Sequence, residues 1–220
     1  MAPESGFVQA SYFYVGIFLP ASVLIPLSIG AYRRVYAQPE LRAVFLYLLV
    51  AGATNILAKL LGEARLNNLP LLHIYTIVEF LLLLSYYGKI LRHPVLGRAL
   101  GWLSIAFPVA AVLNFLLVQD IFTFNSYPRS VAAVVVVALA VFYFFAEEAR
   151  KGPHGQANRW INFGLLQYFG SSIFMFAFSN VLYQHASRQG QFIIGLFHAT
   201  LVLIMYILFS FGFLSLGKRR

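Results

Sequence analysis

Seven stretches of about twenty mostly apolar residues follow one another along this 220-residue chain, and they decide what it can fold into. A helix needs ~20 apolar residues to cross the hydrocarbon core of a bilayer. The runs are continuous instead of alternating, which argues against the strands of a membrane barrel. The sequence therefore predicts an all-α membrane protein with seven transmembrane helices in a single domain over residues 1–220. The predicted segments are approximately 12–32, 42–62, 70–90, 99–118, 129–147, 160–183 and 191–216.

The composition indicates that lipid is the main partner of the chain. Hydrophobic residues make up 60% of it and charged residues only 10%, whereas soluble domains are ~45–50% apolar and ~25% charged. There are no cysteines, which excludes disulfides, thiolate nucleophiles and cysteine-ligated metals. The net charge of +9 is scattered between apolar runs, so it predicts headgroup contacts and no nucleic-acid partner. Because Arg33 is the first basic residue, we expect no cleaved signal peptide.

The distribution of lysine and arginine predicts the orientation of the chain. Positive residues concentrate in the cytoplasmic loops of membrane proteins. One set of connections, together with the C-terminal tail, holds twelve Lys or Arg residues, three in each of 33–42, 88–98, 150–159 and 218–220. The alternate connections hold three in all, at Arg65, Arg129 and Arg188. The sequence therefore predicts a multi-pass protein of the inner (cytoplasmic) membrane, with its N-terminus outside and its C-terminus in the cytoplasm.

Two parts of the chain match at a fixed offset. "TNIL" at 54–57 corresponds to "SNVL" at 179–182, and the same offset places His73 on His198. This pattern predicts a 3+1+3 parallel repeat, in which repeat A covers about 12–90, a linking helix covers 99–118 and repeat B covers about 129–216. Such repeats place binding sites at their interface. The alternative is coincidence within apolar sequence.

The predicted architecture resembles that of SWEET-type sugar transporters and microbial rhodopsins. The specific motifs of those groups are missing, since no Pro-Gln motif marks the first and fifth segments and the seventh has no lysine for a retinal Schiff base. The stretches "HIYTIVEF", "IFTFNSYPR" and "WINFGLLQYFGSS" resemble an uncharacterised family of small bacterial seven-helix membrane proteins. That resemblance implies a bacterial inner-membrane location and brings no activity with it.

Glu79 is the polar residue that most needs an explanation. It lies nine residues after Pro70, which places it ~13 Å along its helix and near the bilayer midplane. A carboxylate at that depth is expected to be protonated or paired with a cation. Lys59 and Arg129 are the candidate partners. Lys59 has an alternative partner in Glu63, one helical turn away.

Two histidines and two asparagines complete the candidate residues. His73 and His198 could bind a metal across the repeat interface, but no HExxH or HxxxH motif supports this. We expect these histidines, like Asn55 and Asn180, to form matched hydrogen bonds between helices. The sequence accordingly predicts no metal ligand, no cofactor and no catalytic residue.

The polar residues within the membrane fall mostly in the outer half. The inner half is expected to hold little beyond Asn162 and Gln167. The sequence therefore predicts an outward-facing polar pocket between the two repeats. Its candidate residues are Glu79, His73, His198, Asn55, Asn180, Lys59 and Arg129.

Three functions are compatible with such a pocket. The first, which we favour, is the binding or transport of a small molecule. The second is a receptor-like sensor, which would need a membrane or signalling partner protein because the connections are too short to hold a signalling domain. The third is a membrane-embedded enzyme that modifies lipid, for which no acid–base motif is present.

Overall fold

The computed structural model describes residues 13–146, 151 and 154–217. The described residues are helical apart from short connections and contain no strand. Six helices are long and apolar enough to cross a membrane, and the number is seven if one bent pair counts as a single span. The helices are α1 (Tyr14–Tyr32), α2 (Arg42–Glu63), α3 (Leu69–Leu91), α4 (Pro94–Leu117), α5 (Ser126–Phe145), α6 (Gly155–Ala177), α7 (Ser179–His185) and α8 (Arg188–Leu214). The predicted all-helical, multi-pass architecture is confirmed at this level.

Prolines lie at the starts of two of the helices that begin earlier than predicted. α4 begins at Pro94 instead of about 99, and α5 begins at Ser126 instead of 129, with Pro128 in its first turn. Proline is tolerated there because the first N–H groups of a helix have no partner within the helix. As a consequence Arg129 belongs to a helix and not to a connection.

The sixth predicted segment is broken. α6 and α7 are separated at Phe178 and bent by 56° relative to each other. The Ser179 hydroxyl donates to the carbonyl of Phe176 at 3.0 Å, a local bond that competes with regular helix geometry. The single span predicted for 160–183 is therefore two helices in the structure.

Short connections bring the helix ends together at two poles of the bundle. We call one pole the basic end, where α1 and α3 finish and α2 and α4 begin. There Arg33 donates to the Leu216 carbonyl at 3.0 Å, and Arg92 pairs with Glu40. At the opposite end, the imidazole of His73 lies 3.1 Å from the carbonyl of the connection residue Thr123. Polar contacts thus link the helix ends at both poles.

Small residues allow α6 and α8 to approach each other closely. A Cβ atom on Gly164 would lie 3.0 Å from the Phe209 ring, and one on Gly212 would lie 3.0 Å from the Ala157 carbonyl oxygen. Without a hydrophobic driving force between helices in lipid, such close backbone contact is a main source of association. α4, by contrast, packs against α3 and α5 at the side of the bundle.

The half of the bundle near the basic end contains more polar contacts than the sequence predicted. The Tyr86 hydroxyl donates to the Asn158 side chain at 3.2 Å, and the Tyr87 hydroxyl donates to the Asn162 side chain at 2.8 Å. The Tyr143 hydroxyl donates to the carbonyl of Gly155. The expectation that this half holds little beyond Asn162 and Gln167 is therefore wrong, because buried tyrosine hydroxyls require partners that hydropathy does not register.

We predict that Gly212→Leu destabilises the protein. The new side chain would collide with the backbone of α6, and overpacking of this kind costs about 1–3 kcal/mol. The control is Gly101→Leu, because Gly101 has nothing within 4 Å of its Cβ position. Thermal unfolding in detergent should show a lower midpoint for Gly212→Leu only. Equal midpoints for the two variants would contradict the close packing.

Candidate functional site

The site centres on an ion pair between α3 and α5. Nη1 of Arg129 lies 2.9 Å from Oε2 of Glu79, and the two side chains are only 15% and 2% exposed. The first turn of α5 thus supplies the cation for the carboxylate of α3. Lys59 is not that partner, since its ammonium lies 4.0 Å from Glu63 at the exposed surface. Of the two partners that the sequence allowed for Glu79, the structure selects Arg129.

Neighbouring hydroxyl groups complete the hydrogen bonding of the pair. The Tyr75 hydroxyl donates to Oε1 of Glu79 at 2.9 Å, from one turn earlier on α3. The guanidinium of Arg129 also donates to the Thr76 hydroxyl at 3.2 Å and to the Tyr168 hydroxyl at 3.1 Å. A buried ion pair is tolerated only when its remaining donors and acceptors are satisfied in this way.

Aromatic rings surround the guanidinium. Cζ of Arg129 lies 4.5 Å from the centroid of the Phe176 ring and 5.6 Å from that of Tyr75, both within the range of a cation–π interaction. The His198 ring lies 5.5 Å from the Tyr168 ring and 5.8 Å from the Phe176 ring. The three rings of α6 and α8 therefore form one cluster with Arg129.

The connection before α5 is fixed by two asparagine side chains. Asn125 donates to the Leu72 carbonyl at 3.1 Å and to the Thr76 hydroxyl at 2.6 Å. Asn180 accepts from the amide of Phe124 at 3.0 Å and donates to the carbonyl of the same residue at 2.8 Å. These bonds hold the residues just before α5 and thereby position Arg129.

A cavity of about 410 Å³ lies beside the ion pair, in the half of the bundle near the opposite end. It is bordered by α1, α2, α3, α5, α6, α7 and α8, and no residue of α4 lines it. Most of its wall is apolar or aromatic. The polar side chains in its wall include Asn55, Tyr75, Arg129, Tyr168, His198 and Tyr206.

Closely packed side chains close the cavity toward the basic end. Tyr47 and Met205 line it and contact each other, with the Tyr47 hydroxyl 3.8 Å from the Met205 sulfur. Behind them lies Phe209, which is fully buried and packs edge-on against the Tyr47 ring at 6.2 Å. No further polar side chain continues the cavity in that direction among the residues that line it.

The structure brings some of the predicted residues together and separates others. Arg129, His198 and Asn55 line the cavity, and Glu79 lies directly behind Arg129. Asn180 holds the connection before α5, and Lys59 is exposed outside the cavity wall. His73 is also outside it.

The two histidines occupy different environments. His73 is buried, bonds to the Thr123 carbonyl and packs edge-on against the Phe115 ring at 5.7 Å. His198 has no hydrogen-bond partner among the described residues, and its Nδ1 is buried. The expected matched hydrogen bonds are therefore not formed. No group of three or more His, Asp or Glu side chains suited to a metal occurs in the described part of the chain.

Sequence reasoning did not predict the contacts that two tyrosines make with the ion pair. Tyr168 accepts a bond from Arg129, and Tyr75 donates one to Glu79. The position of Tyr75 four residues before Glu79 places both on one helix face, so this contact could have been predicted. Nothing local in the sequence indicates the contact of Tyr168, which lies 39 residues from Arg129.

Comparisons with known proteins assign no family to the chain. No protein-family model matches it, no curated protein matches it, and no solved structure matches its fold. The site is therefore interpreted from its own geometry.

We predict that Arg129→Met strongly destabilises the protein. It leaves the Glu79 carboxylate buried without a counter-charge, and removing one partner of a buried pair costs about 3–5 kcal/mol. The matched control is Lys59→Met, which breaks an exposed pair worth less than about 1 kcal/mol. Unfolding in detergent measures both variants.

The double variant Glu79→Leu with Arg129→Met distinguishes the effect of the unpaired charge from the effect of lost packing. Because it removes both charges, it should be more stable than Arg129→Met alone. A double variant whose loss equals the sum of the two single losses would show that the two residues do not interact.

Proposed function

We propose that this chain is a seven-span protein of the bacterial inner membrane that binds a small molecule in the cavity beside the Glu79–Arg129 pair. The cavity is the observation that carries the proposal. Its volume of about 410 Å³ falls in the range of small-molecule sites, which combine apolar walls with a few placed polar groups. The resemblance of three sequence stretches to small bacterial membrane proteins belongs to the same proposal.

The charge distribution supports access from outside the cell. Twelve Lys and Arg residues belong to the richer connections and the tail. The described connections of this set join helix ends at the basic end. The connections at the opposite end hold only Arg65, and α8 begins there at Arg188. Arg129 lies within α5. Under the positive-inside rule the basic end faces the cytoplasm. The N-terminus and the cavity then lie on the outer side.

The lining of the cavity supports the proposed 3+1+3 repeat. α1, α2 and α3 would form one copy, the helices α5 to α8 would form the other, and α4 would link them. Both copies contribute lining residues and α4 contributes none, as expected for a site at a repeat interface.

Binding coupled to a partner protein is favoured over transport. A transporter needs a route to the other side of the membrane, and the fully buried Phe209 packs against the Tyr47 ring on the basic-end side of the cavity. A receptor-like sensor requires only that a ligand alters helix packing at the basic end, where a membrane or signalling partner could respond. The lipid-modifying alternative receives no support from the cavity, because the Glu79 carboxylate is occupied by Arg129 and Tyr75.

We predict that wild-type protein extracted from its native membrane carries a bound small molecule that Ala51→Phe lacks. Ala51 lines the cavity, so a phenyl group there fills the space of the ligand. The control is Ala53→Phe, which lies on the exposed face of the same helix. Native mass spectrometry of the three proteins, followed by identification of the released molecule, makes the measurement.

An equal amount of the molecule on Ala51→Phe and on wild type would contradict binding in this cavity. Uptake of the identified molecule into proteoliposomes then separates transport from sensing. Uptake by wild type that is abolished in Ala51→Phe would replace the sensor proposal with a transporter.

A further inference from the structure

We infer that the cavity takes an uncharged molecule with an apolar body and one hydroxyl group, of the class of phenols and lipophilic alcohols. This inference rests on the proposed function, since it assumes that the cavity is the ligand site, and it adds the chemistry of the ligand. Three observations carry it: the charge balance of the cavity, its unpaired polar groups and its apolar wall.

The charge balance excludes a net charge on the ligand. Arg129 is the only Lys, Arg, Asp or Glu among the described residues that line the cavity, and Glu79 neutralises it at 2.9 Å. A further ion would lose hydration against a mostly apolar wall without gaining a counter-charge, which is unfavourable. An anion could bind only by displacing Glu79 from Arg129, which would leave a carboxylate buried and unpaired.

His198 and Tyr168 at the wall of the cavity retain unused hydrogen-bonding capacity, whereas Tyr206 is hydrogen-bonded to the Asn55 side chain. Neither ring nitrogen of His198 has a partner among the described residues, and since Nδ1 is enclosed, Nε2 is the nitrogen left to meet a ligand. The Tyr168 hydroxyl accepts from Arg129, but its own proton has no acceptor in the described part of the chain. Unpaired buried polar groups are costly, so a ligand that pairs with both gains free energy.

A hydroxyl group fits both partners. The ring centroids of Tyr168 and His198 lie 5.5 Å apart and both side chains line the cavity, so one small ligand can contact both. The tautomer of a neutral imidazole decides whether Nε2 donates or accepts, and a hydroxyl can take either role. The ligand hydroxyl can also accept a hydrogen bond from the Tyr168 hydroxyl. A carbonyl could accept from Tyr168 but could bond to Nε2 only when that nitrogen carries a proton.

Most of the remaining wall is apolar, which favours a ligand with an apolar body. Leu19, Pro20, Leu72, Phe176, Val202 and Met205 line the cavity. An apolar surface buried against them contributes roughly 25 cal/mol per Å². Polar groups at that end of the ligand would lose their hydration without gaining a partner.

A series of four probes with one biphenyl frame tests the inference on the full chain in lipid nanodiscs. The probes are 4-phenylphenol, biphenyl, biphenyl-4-carboxylate and 4-phenylbenzylammonium. Binding is measured by calorimetry as the difference between wild type and Ala51→Phe, which subtracts partition into lipid. 4-Phenylphenol should bind about tenfold more tightly than biphenyl, in line with one net hydrogen bond, and more tightly than either ion.

The variants His198→Leu and Tyr168→Phe test the proposed contacts. Each should reduce the affinity for 4-phenylphenol toward that for biphenyl, while biphenyl affinity stays unchanged. Retained biphenyl binding shows that the variant is folded and its cavity intact. The matched controls are His185→Leu and Tyr183→Phe, at exposed positions outside the cavity, which should bind all four probes as wild type does.

Two results would overturn the inference while leaving the proposed function in place. Tightest binding of the carboxylate would show that Arg129 releases Glu79 to hold an anion. Equal affinities for 4-phenylphenol and biphenyl would show that the hydroxyl is not recognised. If no probe distinguishes wild type from Ala51→Phe and no molecule co-purifies, the cavity is not a ligand site and the proposed function fails as well.

Discussion

The buried pair of Glu79 and Arg129 is the contact on which the rest of the site depends. Neither charge is stable alone at bilayer depth, and together they tie α3 to the first turn of α5. Further residues support the pair. Tyr75 and Tyr168 form hydrogen bonds with its two members, and Asn125 holds the connection that positions Arg129. Three helices, α3, α5 and α6, and one connection are thus positioned by the need to neutralise one carboxylate.

The same pair determines the net charge of the cavity wall. A cavity lined by an unpaired arginine would select anions, whereas here the positive charge is already cancelled and its faces are covered by Phe176 and Tyr75. What remains available is a neutral surface with a few hydrogen-bonding groups. Near the basic end, by contrast, the tyrosine hydroxyls are paired with asparagine side chains, so polarity there serves packing between helices.

Hydropathy predicts the helices well because exposing polar backbone groups to lipid costs much free energy, and a helix satisfies those groups within its own segment. It fails where side chains decide the outcome. The charge of Arg129 counts it with the connections although the predicted span starts there, yet its pairing with Glu79 allows the charge to lie within the first turn of α5. The break at Phe178 also escaped prediction, because a bend changes no residue's hydropathy. The contact of Tyr168 depends on tertiary packing, which no local pattern records.

The two histidines show why equal spacing in sequence does not imply equal roles. His73 faces a backbone carbonyl, which occupies its ring nitrogen and leaves it a structural contact. His198 packs against the rings of Tyr168 and Phe176 and makes no hydrogen bond to the described residues, so its hydrogen-bonding capacity remains available to a ligand. If the two halves are copies, Glu79 corresponds to Ile204, a second difference between them. Such differences at equivalent positions would give the two copies separate roles, with structural contacts at His73 and an available ring nitrogen at His198.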